Sequence, residues 1–507
     1  MSKGKVIHGF QERRRLETAL QELSRLQDDE QRLLRAQELA RHGRALLPLI
    51  LRHLGTDDPL LRGALGLVLS YMPRELIAPK LREVAANPQR SDQERMTALM
   101  FLERFLDEPV EESLYAQLRN PNAVIEQSLR EVIQHQDDIP DIVVDYLTQL
   151  QEEPVDVALM VMDAISRMGE ENVFPLLAML AQDVRPDVAT AAVRLLERSS
   201  HPQRAAVLSF LAETAFGDVQ TLAERSVRKM RMRGLNVDAP AQAHWRALVT
   251  APDMHGSQAI WLVRQVDGEQ RLLGFLANAE VGVQFAFVLD DVPPDLVPAL
   301  EVGRMLPIVM GEDANDPDSL AWFLEVALGH VRRWVQEFVH QNYISEYQLP
   351  VLFRRHIFTF WAETAHAGIT EAPSLPQADL DALPRVLDLF QHPTLARWYV
   401  EPPRDAFAER RWLRSGLDEK AFARALDGMD ESTFPESLWL TIGEHLYRLA
   451  EWFLLAEEGE LAAHAVTAAY ALEHLPYGKN VFAQMLVARG LAITFSRLQQ
   501  ARDQWDE

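Results

Sequence analysis

The chain has 507 residues, 48% apolar and 25% charged, the profile of a folded protein large enough for more than one hydrophobic core. It contains no cysteine, which removes disulfides, thiolate metal sites, iron–sulfur clusters and cysteine nucleophiles together. Its net charge of −24 argues against DNA or RNA as the main ligand, because phosphates are neutralised by Lys and Arg.

The N-terminus reads MSKGKVIHGFQERRR, with charge but no apolar stretch behind it, so it is not expected to be a secretory signal. No run approaches the ~20 apolar residues of a membrane span; the longest uncharged candidate is Ala462 to Leu472. The expectation is a cytoplasmic chain with no membrane association. Gln11 to His42 reads as a charged helix pair with Leu16, Ala19, Leu20, Leu23 and Leu26 on one face.

Two sets of punctuation then recur with one period. Pro59, Asp92, Pro121, Pro154, Pro186 and Asp218 are spaced 29–33 residues apart and are expected between the helices of successive pairs. Pro48, Pro79, Pro109, Pro140, Pro175 and Pro202 are spaced 27–35 apart and are expected near the start of each first helix. Proline is tolerated in the first helical turn, where its missing N–H has no partner to lose. Between the marks the pattern is helical. Val188, Ala191, Ala192, Leu195 and Leu196 make one stripe at i, i+3, i+4, i+7 and i+8.

This arrangement resembles the HEAT family, whose second helices tend to open with Asp-Pro, then Val-Arg, then spaced Ala and Leu. Asp58-Pro59-Leu60-Leu61-Arg62-Gly63-Ala64-Leu65 fits that pattern, and Asp92 to Leu99 keeps the Asp, Arg95 and Ala98. Later repeats lose the Arg, with Ile125, Val157 and Thr190 near its place. The resemblance covers roughly residues 46–233 and implies an α-solenoid of about six repeats, an architecture that offers a surface to another macromolecule. The helix pair of residues 1–45 is then its N-terminal cap, and the solenoid is assigned to 46–238.

Charge is uneven along this half. Residues 107–171 hold 3 basic and 16 acidic side chains, a net of −13. Such a block is either a solvated outer face or a surface for a basic partner.

Beyond Gly234-Leu235-Asn236 the pattern changes. AHWRALVT, SQAIWLVRQV, QRLLGFLANA and VGVQFAFVL are short and rich in Val, Leu and aromatics, and the last alternates with a period of two. Asp267-Gly268 between two of these runs signals a tight hairpin. A small antiparallel sheet of three or four strands is expected from about Ala243 to Leu289, with a helix from Pro293-Pro294-Asp295 to about Arg304, in a domain of residues 239–311. From 312 to 507 a helical domain is expected. Its first helix, capped at Asp318-Ser319, would run through Trp322, Phe323, Val326, Val331, Trp334, Val335 and Phe338. A second spans Leu349 to Glu363. Breaks fall at Pro373, Pro376, Pro393 and Pro402-Pro403, and a last set runs from Pro435 to Arg502. The fold class is mainly α, with an α+β second half.

Chemistry is sparse. No two histidines lie three or four positions apart, so the two-histidine zinc helix is absent. Glu-x-x-His occurs at Glu337/His340 and Glu363/His366, the spacing used by carboxylate-bridged di-metal bundles, though about one such spacing arises by chance in a chain of this composition. No phosphate loop, G-x-S-x-G elbow or dinucleotide fingerprint occurs, and no cofactor is expected. The densest basic run, ERSVRKMRMRG, offers Arg228, Arg231 and Arg233 for an anion or an acidic partner, or simply ends a helix where its dipole favours cations. Trp322, Trp334, Tyr343, Tyr347, Phe358, Phe360 and Trp361 are expected mainly in the core. The functional expectation is a protein-binding or scaffold protein that uses the solenoid surface for a basic partner. The alternative is an enzyme with its site, of di-metal carboxylate type, in the C-terminal half. Convergent ionisable groups in a pocket there would favour the alternative.

Overall fold

The computed structural model describes residues 14–506 apart from gaps, of which 235–242, 310–319 and 404–421 are the longest. The chain is mainly helical with one small antiparallel sheet, and it divides into two compact units, residues 1–173 and 174–507. The boundary falls inside the helix Glu170–Leu180, within the run expected to be one repeat array. Among the described residues no helix is long and apolar enough to cross a membrane.

The first unit opens with α1 (14–23) and α2 (Asp29–Ala40), and Leu16, Ala19, Leu20 and Leu23 of α1 are buried as the stripe requires. Then follow α3 (Gly43–His53), α4 (Pro59–Ser70), α5 (Arg74–Ala86), α6 (Asp92–Met100, continued by a π-helical turn Phe101–Phe105), α7 (Pro121–His135), α8 (Pro140–Glu152) and α9 (Val155–Ser166). The first set of marks does open helices. Asp58 accepts from the N–H groups of Leu60 and Leu61 at 3.0 and 3.2 Å with Pro59 in the first turn, and Ser91 forms a capping box with Glu94. The second set is mixed: Pro140 opens α8 and Pro202 lies just before α12, whereas Pro48, Pro79 and Pro175 sit inside their helices. Residues 107–111 around Pro109 are irregular, Leu114 is helical, and residues 112 and 113 between them lie outside the described residues.

Within this unit α2 touches α4, α4 touches the π-turn of α6, α6 touches α7, and α7 touches α9, while α3 touches α5. Arg95, only 2% exposed, ties consecutive pairs together. Its guanidinium donates to the carbonyls of Ala85 at 2.8 Å and Gln117 at 2.9 Å, so the buried charge is spent on backbone acceptors before and after its own helix.

The second unit begins with the end of α10 (Glu170–Leu180), then α11 (Pro186–Arg198), α12 (Arg204–Thr214) and α13 (Gly217–Met232). A six-stranded sheet follows: β1 (His244–Thr250), β2 (Ser257–Val266), β3 (Glu269–Asn278), β4 (Gly282–Leu289), β5 (Met305–Val309) and β6 (Leu320–Glu325), in the order β4-β3-β2-β1-β6-β5, all antiparallel. The hairpin at Asp267-Gly268 forms as read, both residues having positive φ, 51° and 92°.

The expected helix after Pro293 does not form. Pro294 and Asp295 lie outside the described residues. Among the described residues, 296–298 and 300–304 are turns and irregular chain, and Val292 and Val297 lodge on one sheet face with Leu248, Trp261, Leu272 and Phe323. The helix expected through Trp322 and Phe323 is also corrected. Those residues belong to β6, whose short apolar run is a strand buried over its last three residues, and Asp318 and Ser319 lie outside the described residues.

The opposite face carries α14 (Leu328–Ser345) and α15 (Val351–Glu363), with Phe275 edge-on to Phe353 and Trp245 edge-on to Phe360. The sheet is therefore covered on both faces over its centre. A 3-10 stretch Leu380–Gln391 and helices α16 (Glu436–Leu455), α17 (Gly459–His474) and α18 (Val481–Asp506) complete the unit, with Pro402 outside the described residues. The Trp452 indole N–H donates to the Val249 carbonyl at 3.1 Å and ties α16 to β1.

Candidate functional site

The two Glu-x-x-His motifs do not assemble. Glu363 is the last residue of α15 and His366 lies beyond it in the 3-10 turn Ala365–Ala367, so the one-turn helical spacing is broken. Glu363 is committed elsewhere. It accepts from the Arg264 guanidinium at 2.8 and 2.9 Å and from the Trp245 indole at 2.8 Å, joining α15 to the sheet. Glu337 accepts from Arg333 at 2.6 Å and lies 3.5 Å from Arg448. His340 packs against the edge of Phe216, ring centres 5.0 Å apart. Carboxylates already answered by arginine are poor cation ligands. Among the described residues no group of three or more His, Asp or Glu side chains is placed to hold a metal ion.

Arg228, Arg231 and Arg233 stand exposed at the C-terminal end of α13, beside Met232, which is 83% exposed. Lys229 in the same turn pairs with Glu197. The buried face of that helix is Val219, Ala223, Val227 and Met230, so the three arginines lie on its solvent side.

Sequence reasoning missed three arginine nodes of the second unit. Arg332 of α14 is 2% exposed. It donates to the Trp361 carbonyl at 2.6 Å and to Glu213 of α12 at 3.1 Å, and its guanidinium lies 3.9 Å from the Trp361 ring centre. Arg333 bridges Glu337 and Glu451 and so links α14 to α16. Arg354 of α15 is fully buried, and burial lowers its guanidinium to about 10 despite the opposing charge of Asp183. Asp183, in the turn between α10 and α11, accepts from Arg185 at 2.8 and 2.9 Å and from Gln348 at 2.8 Å, and these hold its carboxyl below the ordinary range against its own burial. The apolar stripe held the signal: Arg354 lies three residues after Val351 and four before Phe358, on the buried face of its helix. Of the aromatic set, Trp334, Phe358, Phe360 and Trp361 are core residues, while Tyr347 is 44% exposed.

In the first unit a carboxylate just before the acidic segment acts on one inside it. Glu153, at the α8–α9 turn, has its carboxyl raised by burial first and then by Glu103 and Glu152. Glu103 sits in the π-turn after α6, fifty residues earlier, and Glu103, Glu152 and Glu153 are all exposed. The fold thus concentrates like charge that extended sequence would spread out.

No family model matches the chain, and no curated protein or solved structure matches it.

Proposed function

We infer that the protein binds another protein, and that its first unit presents a HEAT-like helical-repeat surface to a basic partner in the cytoplasm. The observation that carries this reading is the succession of like contacts, α2 to α4 to α6 to α7 to α9, in the unit that holds the acidic segment, where Glu103 and Glu152 act on the carboxyl of Glu153. Successive stacking leaves one long face of each helix row unpaired within the array. Crowded carboxylates lose free energy from one another, and a cationic partner relieves that loss as it binds.

A labelled lysine-rich peptide titrated against the full chain at low salt tests the reading. Binding is expected to weaken about tenfold when Glu103, Glu152 and Glu153 are all replaced by Gln, and to weaken again as added salt screens the pairing. Equal affinity of the triple variant and the parent chain would remove this surface from consideration.

A further inference from the structure

Strand β4 is one edge of the sheet, and it is poorly defended. Val281 to Leu289 reads VGVQFAFVL, with no charge and no proline to block pairing with another chain. The direction of its backbone groups follows from the hairpin. The two-residue turn at Asp267-Gly268 makes Val266 and Glu269 a hydrogen-bonded pair. Counting by twos, β3 then directs the groups of Leu272, Gly274 and Leu276 toward β4. Their partners Leu289, Phe287 and Phe285 point inward, so Ala286 and Val288 point their N–H and C=O groups out of the sheet.

The start of the strand is closed. Asn342 of α14 accepts from the Val283 N–H at 2.7 Å and donates to the Val283 carbonyl at 3.0 Å, as a pairing strand would. Among the described residues nothing does the same for Ala286 or Val288. Beside these open groups lies an apolar row. Phe285 is 58% exposed, and its cross-strand neighbour Leu276 and the strand-end Leu289 are each 37% exposed. The Phe287 ring lies over Gly274, where an added Cβ would come within 2.3 Å of it. The loop that covers this face packs on Trp261 and Phe323, nearer the sheet centre, in a cluster that reaches Phe287 and leaves Phe285 and Leu289 at the rim exposed.

We propose that β4 is a strand-addition site for an extended peptide with apolar residues at alternate positions and Lys or Arg beyond both ends. The alternation places each apolar side chain beside Phe285, Phe287 or Leu289, while the backbone pairs with Ala286 and Val288. Charge selects the ends. Exposed Glu280 precedes the uncharged stretch and exposed Asp290 and Asp291 follow it, and among the described residues Asp290 alone of the three forms an ion pair, with Arg271. The same charges disfavour a second copy of the chain, because antiparallel self-pairing lays the acidic end of one β4 beside the acidic end of the other. This site lies in the second unit and does not depend on the function proposed for the first.

The test uses the full chain and a fluorescein-labelled peptide of alternating valine and threonine with two lysines at each end, against the same peptide ended with glutamates. The lysine-ended peptide is expected to bind about tenfold more tightly or better, and to slow hydrogen exchange at the Ala286 and Val288 amides. Val288→Pro removes an outward N–H at an edge position where proline is tolerated, and Phe285→Lys sets a like charge beside the peptide; each should weaken binding about tenfold. Because the two variants perturb backbone and side chain separately, retention of full affinity in both overturns the site. Equal affinity for the two peptides overturns the charge selection. Protection of Ala286 and Val288 without peptide, lost on dilution, assigns the edge to a second copy and overturns the proposed occupant.

Discussion

Arg354 shows how a buried charge is supported in this protein. Its guanidinium donates to the Met179 carbonyl at 3.3 Å, and the opposing charge of Asp183 acts on it without a direct hydrogen bond. Removing the charge that answers a buried ion costs up to about 3–5 kcal/mol in comparable settings, whereas replacing the ion by an apolar side chain of similar volume is often neutral. Asp183 also serves Arg185 and Gln348, so it satisfies several donors at once. Asp183→Asn is therefore expected to cost about 3–5 kcal/mol in urea unfolding of the second unit, and Arg354→Met clearly less. In the double variant the losses should fall short of their sum, because the asparagine no longer has a buried cation to leave unpaired. Equal losses in the two single variants would show that Arg354 contributes by packing rather than by charge. None of this was announced by a motif. The arginines were visible only as residues out of place on apolar stripes, and their carboxylate partners lie in other elements, at sequence separations such as the 119 residues between Glu213 and Arg332, which periodicity does not span.

At the scale of elements, what the sequence revealed followed from local physics. Helix starts at Pro59, Asp92, Pro121 and Pro186 were legible because capping and proline geometry act within four residues. The Asp267-Gly268 hairpin was legible because few residues tolerate its positive φ. Strand β6 was not, since LAWFLE is a short apolar run that fits a buried strand and a helix equally well. Strand β5 was hidden too: it is five residues long with Pro307 inside, which an edge position permits. The same contrast predicts opposite outcomes for one substitution. Gly63 lies in the interior of α4 with open space where a Cβ would go, so Gly63→Ala should stabilise by about 0.5–1 kcal/mol through helix propensity. Gly268 also has open space, yet its φ of 92° strains any other residue, and Gly268→Ala should cost about 1–2 kcal/mol. Thermal unfolding of the two variants checks both signs. A loss at Gly63 would mean that α4 needs the glycine for packing.

At the scale of the whole chain, acid should act on the two units in opposite directions. In the second unit burial is the main reason that His330, His356, His392 and His445 have lowered values, His356 to about 4. Between about pH 6.5 and that value the unfolded chain binds protons that the folded unit refuses, so stability present above pH 6.5 is lost as the pH falls toward 4. The first unit contains the reverse case. The raised carboxyl of Glu153 takes up its proton more readily in the folded state, so acidification from neutrality relieves first the cost of sheltering its charge from water and then its repulsion with Glu103 and Glu152, and adds stability until the ordinary carboxylate range is reached. Hydrogen-exchange protection, corrected for the intrinsic effect of pH and compared at pH 7 and pH 5, separates the two responses. Amides of α14 and α15 should lose protection at pH 5, while those of α8 and α9 hold or gain it. Replacing His356 by Asn should flatten the pH dependence of the second unit and leave that of the first unchanged. A common loss of protection in both units would mean that the acidic crowding around Glu153 is already relieved by solvent at neutral pH, and the charge argument for a basic partner would go with it.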